Sequence, residues 1–150
     1  MHQYLYLIPA LPLIGFLVLS LAGKHLHKTF VAWLGAGTVC ASALITIVLG
    51  IEFFQNPPSS GAYAQLLWNW FSAGRLSVSV SFTADALTLV FIFIITFVGA
   101  LIHIYSTAFM RKDRDYARFF ACMNLFVCSM LVLVMADNLV LLYLGWEGVG

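Results

Sequence analysis

Four uninterrupted apolar stretches constrain this chain more than any other feature: Tyr4–Ala22, Phe30–Phe54, Ala86–Phe109 and Phe119–Ala136. Crossing a hydrocarbon core roughly 30 Å thick takes about 20 helical residues, and all four stretches reach or approach that length. Inside hydrocarbon a backbone must satisfy its own polar groups, so each stretch is expected to be helix. A fifth run opens at Asn138 and stops at Gly150; at about 1.5 Å per residue it covers only part of a bilayer, and the expectation is that polypeptide is missing after it. The chain is 63% hydrophobic and 9% charged, where a soluble domain carries about a quarter charged residues. The expected fold class is an all-α polytopic membrane protein, with four complete transmembrane helices over 4–22, 30–54, 86–109 and 119–136 and the start of a fifth over 138–150.

The placement of charge says more than the formal net charge of +1. Lys24 and Lys28 lie between spans one and two; Arg111, Lys112, Arg114 and Arg118 lie between spans three and four. These two loops, 23–29 and 110–118, share a side and hold six of the seven basic residues, and Arg75 is the exception. The positive-inside rule then puts the N-terminus and Asn138 outside and both basic loops on the cytoplasmic or matrix side. Span one carries "SLAG" near Ala22, which resembles a signal-peptide cleavage site. No Lys or Arg precedes its apolar run, however, and Pro9 and Pro12 suit an early helical turn, so it is expected to remain as a span.

Cys40, Cys122 and Cys128 fall within or beside spans, and the six-residue separation of the last two points them apart on a helix, so neither a disulfide framework nor a metal site is expected. His25 and His27 read as members of a basic surface loop rather than metal ligands. The one long connection, 55–83, begins with "QNPPSSGAY", where Pro57, Pro58 and Gly61 end the helix. Beyond it "QLLWNWF" and "RLSVSVSF" flank "SAG". In the second run Leu76, Val78, Val80 and Phe82 alternate with Ser77, Ser79 and Ser81, so a small β-hairpin on the outer surface is expected in preference to an irregular loop. Trp68 and Trp70, two apart on the first strand, suit the headgroup zone.

Span three carries a polar stripe. Asp85, Thr88, Thr96, Gly99, His103 and Ser106 fall within about an 80° sector at 100° per residue, and such a stripe turns toward other helices because lipid offers no hydrogen bonds. His103, about 27 Å along the helix from Asp85, is a candidate proton relay, with an interhelical hydrogen bond as the competing explanation. Asp85 is explained by helix capping and the helix dipole.

The principal candidate is Glu147, in "LYLGWEGVG". Nine residues past Asn138, or roughly 13.5 Å of helix, it comes close to the middle of the bilayer. An acidic side chain at that depth is unfavourable by about 2.5–3.5 kcal/mol on insertion scales. Alone, such a carboxyl favours its neutral form; a nearby cation restores the charge, so a cation that moves can drive proton uptake and release. Gly145, Gly148 and Gly150 each weaken a helix by about 1 kcal/mol relative to Ala, and they are expected to let a helix or water approach the carboxylate. The competing reading is a glutamate serving as interhelical glue. No lysine lies deep in any span, so the cation is expected from outside this stretch.

"YARFFACMNLFVCSMLVLVMADNLVLLYLGWEGVG" (116–150), with "LPLIGF" (11–16), "LWNWFSAG" (67–74), "FTADALTL" (82–89) and "LIHIYSTAFM" (101–110), resembles the N-terminal part of subunit L of NADH-quinone oxidoreductase, respiratory complex I. The M- and N-type subunits and Mrp-type sodium/proton antiporters are similar in architecture. The resemblance implies a fragment of an antiporter-like helix bundle of more than a dozen helices with two inverted five-helix repeats, in which a helix-five glutamate, matched by Glu147, pairs with a lysine on a later broken helix as part of a proton channel. It implies a subunit of an enzyme, with NADH, FMN, iron–sulfur clusters and quinone in partner subunits and no cofactor in this chain. The implied partners are other membrane-arm subunits, especially an adjacent M-type subunit, the rest of its own subunit beyond Gly150 and the lipid bilayer, with no nucleic acid. Bacterial plasma membrane and mitochondrial inner membrane are both open. The alternatives are an Mrp-type antiporter subunit using the same glutamate without NADH, and a non-catalytic membrane scaffold with the hairpin as its docking surface.

Overall fold

The computed structural model describes residues 4–73 and 76–150. Arg75, the basic residue set against the two basic loops, lies outside the described residues. Five α-helices and one two-stranded antiparallel sheet follow in the order α1 (Leu7–Ala22), α2 (Lys28–Gln55), β1 (Ala62–Ala73), β2 (Leu76–Asp85), α3 (Ala86–Phe109), α4 (Tyr116–Met135) and α5 (Leu139–Val149). Among the described residues, the helical spans Leu7–His25, Lys28–Gln55, Ala86–Phe109 and Tyr116–Met135 are each long and apolar enough to cross a membrane. The helices start and stop where local chemistry requires. α2 begins at Lys28 rather than Phe30, because His27 accepts from the Thr29 amide and caps it. α4 begins at Tyr116, one turn before its apolar run. α3 is capped by Asp85, which accepts from the Thr88 amide at 2.7 Å, and α5 by Asn138, which accepts from the Leu141 amide at 3.0 Å.

The helices pack as a bundle in which α1 contacts α2 and α4, α3 contacts α2 and α4, and α5 lies along α4. A proline inside α1 determines one of these contacts. Pro12 has no N–H to give to the carbonyl four residues earlier, that of Ile8. Ser42 of α2, fully buried, donates its hydroxyl to that carbonyl at 2.8 Å. A second polar tie lies nearer the end with the basic loops. Asn124 of α4, also fully buried, donates to the carbonyls of Gly35 at 3.1 Å and Phe120 at 2.9 Å, and accepts from the Thr38 hydroxyl at 2.7 Å. Gly15 makes room for it: a Cβ there would stand 2.7 Å from both Asn124 Oδ1 and Thr38 Oγ1. The stripe on α3 turns inward as its spacing predicts, with Thr96, His103 and Ser106 buried.

The hairpin occupies the opposite end. Its strands pair from Ala62 with Asp85 to Ala73 with Leu76, with register shifts between Leu66 and Trp68 and between Asn69 and Phe71. Val80, Phe82 and Ala84 are buried against the helix ends, together with Leu5, Tyr63 and Met135; Val78 is buried too, while Trp68 and Trp70 are exposed. The sheet is stitched to the α4–α5 junction. Ser81 donates to Asp137 Oδ2 at 2.9 Å, and Asn138 donates through Nδ2 to the Ser79 carbonyl at 2.7 Å. Ser81, a residue of the polar row, is thereby buried. At the basic end Lys28 donates to the carbonyls of Arg111 at 2.9 Å and Asp113 at 2.8 Å, tying the start of α2 to the α3–α4 turn.

Two predictions follow from this packing. Gly15→Ala drives a methyl into the Asn124–Thr38 pair and lowers stability by about 1–3 kcal/mol, whereas Gly37→Ala, where nothing lies within 4 Å of the added carbon, is neutral or stabilising by up to about 1 kcal/mol; denaturant titration of the two variants distinguishes them. The Thr88 amide holds the Asp85 carboxyl below the usual carboxylate range. Its stabilisation is therefore present above the unfolded-state pKa and lost as pH falls through the lower folded-state value. Asp85→Ala removes about 1 kcal/mol at neutral pH, and the deficit should shrink on acidification in thermal melts.

Candidate functional site

Asn138 fixes where α5 starts, and Gly145 and Gly148 fix how closely it lies on α4. A Cβ on Gly145 would stand 2.6 Å from the Leu133 amide nitrogen, and one on Gly148 would stand 2.5 Å from Ser129 Oγ. The glycines therefore face α4. Glu147 lies two residues beyond Gly145, about 200° around the helix, and it is exposed. The expectation that these glycines open a path to the carboxylate is corrected in this respect: they seat α5 on α4, and the helical repeat carries Glu147 to the far side. Tyr143, one turn earlier on the same helix, is exposed as well. The surrounding face is apolar, with Leu139 81% exposed, Trp146 64% and Tyr143 62%.

His103 is placed differently. It is fully buried beside Phe120, with ring centroids 6.1 Å apart. Its Nδ1 lies 2.7 Å from the Gly99 carbonyl, and a carbonyl only accepts, so Nδ1 donates. Among the described residues Nε2 has no hydrogen-bond partner. The bond that His103 makes is thus within its own helix, four residues back, rather than to a neighbouring helix. The structure does not bring the two candidates to one face: Glu147 stands on the outer side of α5, and His103 on the inner stripe of α3.

Sequence reasoning missed the Ser42–Ile8 bond and the Asn124 cluster. Both left signals. A proline in a spanning helix frees a carbonyl that some donor must meet, and an asparagine in an apolar span must be satisfied by its neighbours.

A family profile described as NADH-ubiquinone oxidoreductase (complex I), chain 5 N-terminus, matches residues 70–120, which include β2, α3 and the start of α4. NADH-quinone oxidoreductase subunit L of Escherichia coli (strain K12) is 45% identical over 140 residues, covering 93% of this chain and 22% of that protein. Over nearly its whole length this chain is similar to subunit L. The subunit L of Pseudomonas aeruginosa is 43% identical over 139 residues, covering 93% of this chain and 23% of that protein. The NADH-ubiquinone oxidoreductase chain 5 of Chondrus crispus is 37% identical over 149 residues, covering 96% and 21%. The chain thus spans less than a quarter of the length of these subunit L and chain 5 relatives.

The geometry separates packing from chemistry on α5. Gly145→Ala should displace α5 from α4 and lower stability by about 1–3 kcal/mol. Glu147→Gln, on the opposite side, should stay within about 0.5 kcal/mol of the parent. Unfolding in mixed detergent micelles compares the two directly.

Proposed function

We propose that this chain forms the N-terminal part of a proton-translocating membrane-arm subunit of a complex I-type NADH:quinone oxidoreductase, with Glu147 as its protonatable centre. The observation that carries the reading is the exposure of Glu147 on an apolar face of a helix seated by glycines. Such a face is covered by lipid or by protein. Lipid is disfavoured, because an acidic side chain in mid-bilayer costs about 2.5–3.5 kcal/mol. The covering element is therefore polypeptide, and the group that suits a carboxylate best there is a buried cation.

In the proposed mechanism the cation approaches and holds Glu147 ionised; when it withdraws, the carboxyl takes up a proton. Movement of the cation thus becomes proton uptake and release. The seat on α4 keeps the carboxylate at constant depth, so the cation moves and the acid does not. NADH oxidation and quinone reduction belong to partner subunits, among them other membrane-arm subunits, in a bacterial plasma membrane or a mitochondrial inner membrane. The basic loops 23–29 and 110–118 are placed on the cytoplasmic or matrix side. The proposal routes no proton through His103, which lies on another face.

Glu147→Gln in the assembled complex tests the reading. Assembly and quinone-coupled NADH oxidation by the partner subunits should persist, while proton transfer through this subunit falls by about 10²-fold or more, the usual contribution of a positioned proton-transfer group. Proton uptake by proteoliposomes measures it. Unchanged pumping, or loss of the assembled complex, contradicts the proposal, and the latter result supports the glue reading.

A further inference from the structure

Between α1, α2 and the start of α4, at the basic end, lies a cavity of about 660 Å³. Lys24, Lys28, Arg114 and Arg118 line it, against one carboxylate, Asp115. Lys28 is engaged with the Arg111 and Asp113 carbonyls. Lys24, Arg114 and Arg118 are exposed, and among the described residues none of the three is held in an ion pair. Three exposed cations around one concavity repel one another unless an anion enters. The start of α4 adds to the field: Asp115 makes no side-chain cap, so the first-turn amides of α4 and the positive end of its dipole are left for an anion.

The deeper wall has the opposite character. Phe16 and Leu19 of α1, Val31 of α2 and Ala121 of α4 continue the cavity into the membrane-spanning part of the bundle. A free anion has no use for that surface, and an acidic protein segment would leave it empty. A molecule with an anionic head and apolar tails fits both parts. We infer that this cavity binds an anionic phospholipid, its phosphate held by Lys24, Arg114, Arg118 and the start of α4, and one acyl chain lying along the α1–α4 wall. Basic pockets between spanning helices are a general means of holding such headgroups. The bound lipid tethers α1 to α4 at the end where the hairpin gives no support.

Cys122, exposed and lining the same cavity, is a built-in reporter. The assembled complex, purified in detergent, is supplemented with phosphatidylglycerol, with phosphatidylcholine or with inorganic phosphate, and maleimide modification of the Cys122 peptide is followed by mass spectrometry. At phosphatidylglycerol ten times its dissociation constant, mass action predicts modification about tenfold slower, with neither phosphatidylcholine nor phosphate slowing it. Lys24→Gln combined with Arg118→Gln should abolish the protection while leaving the unprotected rate unchanged. Equal rates in the two lipids overturn the inference, as does protection that survives in the double variant. Protection by phosphate alone overturns it in favour of a simple anion site. Absence of modification under every condition overturns it in favour of a protein segment filling the cavity.

Discussion

A polar group inside an apolar bundle must find its partner in the protein, and the helix packing of this chain follows from that requirement. Pro12 leaves the Ile8 carbonyl without its helical donor, and Ser42 supplies one across the α1–α2 contact at 2.8 Å. Asn124 brings an amide into α4, and Gly35, Phe120 and Thr38 satisfy it from two helices. Each bond of this kind adds only about 0.6 kcal/mol on average between spanning helices. Their larger effect is on register, because a rotation or slide of either helix leaves a buried group unpaired. Glycines make the approach possible at the same points: Gly15 lies under the Asn124–Thr38 pair and Gly145 against the Leu133 backbone.

The two ends of the bundle are closed differently. At one end the hairpin lays Val80, Phe82 and Ala84 over the helix ends and bonds to Asp137 and Asn138 in the α4–α5 junction. Asn138 is also the cap of α5. The hairpin is therefore joined to the candidate site by a short chain of contacts, from the Ser79 carbonyl to Asn138, from Asn138 to the first turn of α5, and along α5 to Glu147. At the other end, among the described residues, no sheet is present. Lys28 holds the α3–α4 turn, and the neighbouring cavity gathers positive charge over an apolar wall. The end that lacks the sheet is the end where a lipid tether is inferred.

Much of this organisation was legible in the residues. Apolar run length marked the four spanning helices, and the alternation of Val78, Val80 and Phe82 with serines marked β2, because a pleated strand has a period of two. The α3 stripe was legible for the same reason at a helical period. The helix start at Lys28 was harder, since the His27 cap extends α2 into polar residues that a hydropathy reading assigns to the loop; α4 starts at Tyr116 with no side-chain cap. The direction of Glu147 was not legible. Depth follows from counting residues after Asn138, but the face depends on which side of α5 meets α4, and that is set by backbone approach at Gly145 and Gly148. The glycines were noticed, but not which helix they meet, because a glycine shows that something comes close without showing what.

The central claim is that the Glu147 carboxyl changes protonation with the position of a cation on a neighbouring element. Infrared difference spectroscopy of the assembled complex, comparing resting and turning-over states, reads this directly through the carboxyl stretch. The account predicts a protonated-carboxyl band that rises and falls with turnover and is missing in Glu147→Gln. A Glu147 signal that stays fixed in one protonation state throughout turnover would contradict it.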